Sequence, residues 1–324
     1  IERDPETGEP TGILKDLAMS LVQVPPLDDK RVIDTAVEHA LKNGITTFQD
    51  MGPGPFATQL DYYKQWQLLK FKQDKHEMKI RVRTALDLFE EKDAVLKEFS
   101  ASSKKNGANN LFVMGGLLKA FYDGSLGSKT ALQFDAYLHT TNNTGLKTVE
   151  SSKFKEALKR AASHNLQVAV HAIGERAVSE VLDAFDEVYA EQSHETRSSL
   201  RWRVEHAQQV RPQDVARLAP YIVSVQPAHL LDDAQYAHHV LPAHGVANLY
   251  NFKSFLNHNV TLALGSDWFV APIDPLLALD AAVYRNPLQD ATGWYPEQRI
   301  TLEEGLTAYT IGSAMSTLTD RNVR

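Results

Sequence analysis

Three apolar, β-like runs of this sequence each close on a side chain able to bind a metal: VAVHAIGER at His171, WRVEHAQQ at His206 and LALGSDWF at Asp267. A fourth run, GGLLKAFYDGS, carries Lys119 among apolar neighbours. Imidazole nitrogen and carboxylate oxygen suit Zn²⁺ or a similar divalent ion, and three protein ligands leave a coordination position for water. An ion held there lowers the pKa of that water from about 15.7 to about 7, which makes it a nucleophile at neutral pH. An aspartate beside it can take the water's proton and later deliver it to a leaving nitrogen.

Each of these residues also has a plainer reading. A lone strand-end histidine is more often a hydrogen-bonding residue than a ligand, and Asp267 within Gly265-Ser266-Asp267 suits a turn or a helix N-cap. Lys119 can snorkel to the rim of a sheet. Alternatively, desolvation lowers its pKa and leaves a neutral amine free to react, including with CO₂ to give a carboxylated lysine that bridges two metals. The coincidence of three strand-end positions favours the metal reading, in which His171, His206 and Asp267 converge on one ion.

The elements that would position these groups alternate along the chain. Turn chemistry fills the first dozen residues, and a helix follows from about Asp29, with Val32, Ile33, Ala36, Val37, Ala40 and Leu41 on one face and Gly44 as its C-terminal cap. Strand-like runs lie at 45–50, 80–88, 116–122, 167–172, 201–206, 222–226 and 260–266. The clearest intervening helix is 176–191, where Ala177, Val178, Val181, Leu182, Phe185, Val188 and Tyr189 repeat at three- and four-residue spacing. Ser151 or Ser152 caps another, which buries Phe154, Leu158 and Ala161. Strands alternating with helices predict right-handed βαβ units and a parallel sheet. A closed barrel needs eight strands, and no G-x-G-x-x-G follows any strand to suggest an open, dinucleotide-binding sheet. The expected fold is therefore an α/β TIM-type (β/α)₈ barrel short of one strand, forming a single domain over 1–324.

Composition narrows the partners. A net charge of −7 without a Lys/Arg cluster argues against nucleic acid. No apolar run reaches the roughly 18 residues of a membrane span. The chain has no cysteine, which removes disulfides, thiolate zinc sites and a cysteine nucleophile. The N-terminus, Ile1-Glu2-Arg3-Asp4, has neither an initiator methionine nor a signal-peptide pattern and does not identify the compartment; the cytoplasm is the default expectation. Among the other histidines, His39, His76, His164 and His194 fall on polar faces or in loops, and His238, His239 and His244 cluster away from any strand end. His229, just after the run at 222–226, either points into the shared cup and touches substrate or packs. Trp268, Phe269, Tyr122 and Trp294 either line an apolar pocket or serve packing.

Taken together, Thr7-Gly8-Glu9-Pro10-Thr11-Gly12-Ile13-Leu14, Gly44-Ile45-Thr46-Thr47, Asp123-Gly124-Ser125-Leu126-Gly127-Ser128, His171-Ala172-Ile173-Gly174, Glu205-His206-Ala207-Gln208, Gly265-Ser266-Asp267 and Ala308-Tyr309-Thr310 resemble the metal-dependent amidohydrolase superfamily. The branch they resemble is that of the N-substituted formamide deformylase-like (amidohydrolase 3) enzymes. The resemblance implies His171 and His206 as metal ligands, Asp267 as ligand and general base, and Lys119 as a fourth-strand lysine that can be carboxylated. It implies hydrolysis of a non-peptide carbon–nitrogen bond, an amide or formamide, with zinc as the expected ion. Asp123, His229 and Trp268 are the expected substrate contacts.

The sequence departs from the family in one respect: the His-x-His pair that members carry on their first strand is absent. The N- and C-terminal β segments that form a small sandwich are absent too, so the chain reads as the central portion of a longer enzyme and is expected to be inactive alone. The competing reading is a catalytically silent barrel that binds a small molecule or regulates a partner. A phosphate-binding barrel such as an aldolase would need a glycine-rich cradle after its last strands, and Gln226-Pro227-Ala228 and Trp268-Phe269 do not make one. The expected partner is a small amide-type molecule, with no nucleic acid and no membrane; a homodimer is allowed.

Overall fold

Continuous rather than alternating burial marks the strands, the pattern of parallel strands covered on both faces. The computed structural model describes residues 1–4, 6–22, 28–52, 61–104, 112–287 and 293–320. The chain divides into two compact units, Ile1–Leu117 and Leu118–Arg324.

The first unit holds β1 (Thr47–Asp50), β2 (Arg81–Asp87) and the opening residues of β3 (Val113–Phe121), with helices α1 (Asp29–Lys42), α2 (Tyr62–Asp74) and α3 (Asp93–Lys104). β1 and β2 run parallel, with Thr47 opposite Arg81. Helix α1 starts where the sequence places it because the Asp28 carboxylate accepts the backbone N–H groups of Lys30 and Arg31, two of the donors left free at a helix start. β3 begins three residues before its expected start, since Val113 and Met114 are themselves buried.

The second unit holds the end of β3 followed by β4 (Gln167–Ala172), β5 (Arg203–His206), β6 (Ile222–Val225) and β7 (Thr261–Leu264), which neighbour one another in chain order. Between β3 and β5 lie α4 (Ser151–Ser163), α5 (Glu175–Ala190) and α6 (His194–Leu200). Short α7 (Pro212–Val215) precedes β6, and α8 (His229–Val240), α9 (Ala243–Ala247) and α10 (Phe252–Asn257) follow it. After β7 come α11 (Pro275–Tyr284), α12 (Leu302–Thr307) and α13 (Ser313–Ser316). Helix α5 buries the stripe read from the sequence, and Phe185 and Tyr189 each meet the Trp202 ring with centroids 5.0 Å apart. Helix α4 differs in its cap: Glu150 precedes it without a side-chain cap bond, and Ser151 is already helical.

Among the described residues, seven strands with intervening helices make the expected α/β class of barrel type. Register then decides which strand residues share a face. β4 and β5 pair with His171 opposite Glu205 and Ala172 opposite His206, and β6 and β7 pair with Val225 opposite Leu264. A π-helical turn at Ala308–Gly312 packs on β7, and glycine is required at its end: a Cβ on Gly312 would lie 2.0 Å from the Leu262 carbonyl oxygen. Among the described residues no helix is long and apolar enough to cross a membrane.

Candidate metal centre

Strand alternation alone would send His171 and His206 to opposite faces, because each pairs with the other's sequence neighbour: His171 lies opposite Glu205, and Ala172 opposite His206. Their rings nevertheless meet edge to face, with centroids 4.5 Å apart. The backbone supplies the reason. At His206 φ is +70° and at Ala207 +43°, so the chain leaves β5 through two left-handed residues that redirect the imidazole. Non-glycine residues adopt that region only at a cost that the surroundings must offset, and such residues concentrate at functional sites.

His206 is buried, and its ring is fixed by Gln226, just past β6. The Gln226 amide turns its nitrogen toward the Ser224 carbonyl, 3.4 Å away, which leaves its oxygen to accept from His206 Nδ1 at 2.7 Å. Nδ1 therefore carries the proton and Nε2 the lone pair, the tautomer a metal ligand needs. Burial holds the pKa of His206 well below the ordinary histidine value, reinforced by the Lys119 charge, so the ring is neutral.

Two further groups come to this ring. His229 opens α8, its ring roughly parallel to that of His206 with centroids 6.2 Å apart. Asp267 follows β7 in a turn where its own φ is +54° and its carbonyl accepts from Val270 N–H at 2.8 Å. One ligand atom from each of His206, His229 and Asp267 lies within 4.8 Å of the others, and among the described residues these three form the one such group of metal-ligating side chains. Bond lengths of about 2.0–2.2 Å allow ligand atoms up to about 4.4 Å apart, so small side-chain rotations bring the set to one ion. The donors fit. Among the described residues His229 Nε2 is a buried polar atom with no hydrogen-bond partner, and burial lowers the pKa of His229 as it does that of His206.

His171 stands next to this group but outside it. Its Nε2–H donates to the Gly124 carbonyl at 3.0 Å and lies 3.5 Å from Asp123 Oδ1, leaving Nδ1 as the lone-pair nitrogen. Burial again keeps the ring neutral, with His206 and Lys119 adding to the effect. Lys119 is buried in β3, its Nζ 4.6 Å from the Phe121 ring centroid. Burial pushes its pKa down to about 8, while Glu205 and Asp267 pull it back up. Asp123, expected as a substrate contact, is 2% exposed and turns both oxygens to backbone: it accepts from Leu132 N–H at 2.9 Å, Ile173 N–H at 3.0 Å and Gly174 N–H at 2.8 Å. Gly174 must be glycine, since a Cβ there would lie 2.2 Å from the Leu132 carbonyl oxygen. Trp268 is half exposed and Phe269 almost fully so, directly after Asp267. Tyr122 is packed in the core, its hydroxyl bonded to Glu180 at 2.7 Å.

Sequence reading placed His229 on the substrate side and gave Gln226 no role. The run Gln226-Pro227-Ala228-His229 held the signal, because a strand leading through proline straight into a helix start sets its first helical residue at the strand end.

Parallel strands whose ends carry neutral histidines and a carboxylate define a barrel-type α/β protein with a candidate metal centre. The chain belongs to the amidohydrolase family, whose profile matches residues 1–322. It is 36% identical over 337 residues to "Protein LONG AFTER FAR-RED 3" of Arabidopsis thaliana, covering 98% of this chain and 55% of that protein. It is 27% identical over 317 residues to the Bacillus subtilis (strain 168) protein named "Putative amidohydrolase YtcJ", covering 95% and 56% respectively. The chain thus spans about half the length of these relatives. Among solved structures it is similar to an uncharacterized metal-dependent hydrolase from Pyrococcus furiosus, with a TM-score of 0.74, 27% identity, and coverage of 94% of this chain and 59% of that one.

Proposed function

We propose that this chain contributes the metal-binding strand ends of a hydrolase that cleaves a non-peptide carbon–nitrogen bond, an amide or formamide. The observation that carries the reading is the convergence of His206, His229 and Asp267. Two neutral imidazoles and a carboxylate suit Zn²⁺, which we assign as the ion. A divalent ion bound there polarises a substrate carbonyl and acidifies a water. Asp267 then takes a proton and returns it to the leaving nitrogen, while Gln226 holds His206 in its ligating tautomer. His171 lines the same cup, and Trp268 contacts the substrate's apolar group. The substrate is a small amide.

Metal content tests the reading without any substrate. In the longest natural form of the protein, His206→Ala and His229→Ala are each expected to weaken Zn²⁺ binding at least about tenfold, read by chelator competition and elemental analysis. Unchanged binding in both variants would discard the site. Turnover of a panel of N-formyl and N-acyl amines then separates the enzyme from its rival. The rival reading, a small-molecule-binding barrel without catalysis, predicts bound metal with no turnover on the whole panel.

Lys119 gives a second test. With a pKa near 8, its neutral fraction rises through pH 7 to 9, and only the neutral amine adds to CO₂, forming a carbamate and releasing a proton. At fixed dissolved ¹³CO₂, a carbamate ¹³C resonance is expected to grow over that range and to be missing from Lys119→Gln. A spectrum identical in the two proteins would leave Lys119 an ordinary buried amine.

A further inference from the structure

A buried carboxylate outside the ligand set holds the two ligand-bearing segments together. Asp233 lies one helical turn after His229 on α8, on the same helix face, and is 7% exposed. Its Oδ2 accepts from the Tyr250 hydroxyl at 2.6 Å and from Gln208 Nε2 at 2.5 Å, and its Oδ1 accepts from the Tyr236 hydroxyl. Gln208 is the second residue after His206, on the segment that leaves β5 through the left-handed turn. Its Nε2 also lies 2.8 Å from the Tyr250 hydroxyl, and its backbone carbonyl accepts from Tyr250 N–H at 2.7 Å. Gln208 and Tyr250 are both buried.

Every strong bond of this carboxylate therefore goes to a donor that is itself buried or half-buried, and one of those donors rides on the exit from His206. With three donors engaged, Asp233 has no free face for substrate. What it joins is informative. The β5 exit carries His206, α8 carries His229, and their rings must keep a fixed separation if both nitrogens are to reach one ion. One direct tie exists, from His206 Nδ1–H to Gln226 Oε1 three residues before His229, and Asp233 adds a second through Gln208 and Tyr250. A buried, donor-saturated carboxylate is stiff, because moving either segment would strand a donor without water to replace its partner.

We propose that Asp233 is the positioning residue of the metal centre: through Gln208 and Tyr250 it locks the β5 exit to the start of α8 and so presets the spacing of His206 and His229. This rests on the metal reading above. Supporting groups of this kind typically contribute about 10- to 100-fold to metal affinity.

Co²⁺ is the probe, since its visible absorption reports ligand geometry and needs no substrate. Asp233→Asn keeps the shape but gives up one accepting oxygen. It is expected to bind Co²⁺ about 10- to 100-fold more weakly, with an altered visible spectrum, while its far-ultraviolet circular dichroism stays native. Combining it with Gln208→Glu restores a carboxylate–amide pair in reversed sense and is expected to recover most of the affinity and the spectrum. Should Asp233→Asn fail to fold, Gln208→Leu, which cuts the same link from the strand side, carries the same expectation. A folded Asp233→Asn with wild-type affinity and spectrum overturns the proposal, as does a Gln208→Leu protein that binds normally. If instead the wild-type protein takes up no Co²⁺ and neither His206→Ala nor His229→Ala alters it, the metal reading itself has failed, and this inference with it.

Discussion

Asp267→Asn is expected to slow hydrolysis of a responsive N-formyl or N-acyl amine by about 10²- to 10⁴-fold, the usual contribution of a positioned general base. The amide retains an oxygen that can face the metal position, so the lost function is proton transfer more than ligation. Asp267 follows β7 and is turned by its left-handed backbone toward His206 and His229, where a leaving nitrogen would need its proton. The comparison is made at matched folded concentration and matched divalent-metal occupancy, with initial rates followed across pH. A rate within a factor of a few of the wild type would place the base elsewhere and reduce Asp267 to a turn residue.

The second large effect concerns stability. Asp123→Asn puts a nitrogen that cannot accept where an oxygen takes one or two backbone N–H groups, leaving at least one buried donor unpaired at a cost of about 1–3 kcal/mol. The penalty depends on pH in a definite direction. Three amide donors favour the carboxylate anion, but burial outweighs them and pushes the pKa from 3.8 up to about 7. The unfolded chain releases this proton near its ordinary value, whereas the folded protein keeps it, so the group's contribution to stability is full below about pH 4. It declines by at most about 1.4 kcal/mol per unit as the pH rises toward 7. Asparagine does not titrate there. Denaturant unfolding should thus show the wild type ahead of Asp123→Asn by a margin that is wider at pH 5 than at pH 8. A variant of wild-type stability that loses only activity would return Asp123 to the substrate side.

Strands and helices were legible because burial on both faces writes itself as uninterrupted apolar sequence. β4 falls on 167–172 as read, and the helix read at 176–191 folds as α5 one residue earlier. The site was legible as a set of strand ends but not as a geometry. Period-two reasoning treats all strand-end side chains as equivalent, and it cannot see that φ at His206 reverses the direction its register would give it. That turn is why His206 faces His229, whose candidacy depended on a helix starting at once after β6. Asp123 was opaque for another reason. Its partners are backbone amides, two of them 50 and 51 residues away, and an amide N–H leaves no mark in a sequence.

The left-handed residues His206, Ala207 and Asp267 have a consequence for how such a chain changes over time. Glycine would relax each of these turns, since it alone enters that region without steric cost. Under the proposed metal reading, the same change at 206 or 267 deletes a ligand, and at 207 it loosens the exit from β5. Pressure for a more durable protein and pressure for a working centre thus oppose each other at three particular residues. A lineage released from catalysis would drift there first. His206, Ala207 and Asp267 all adopt this conformation here.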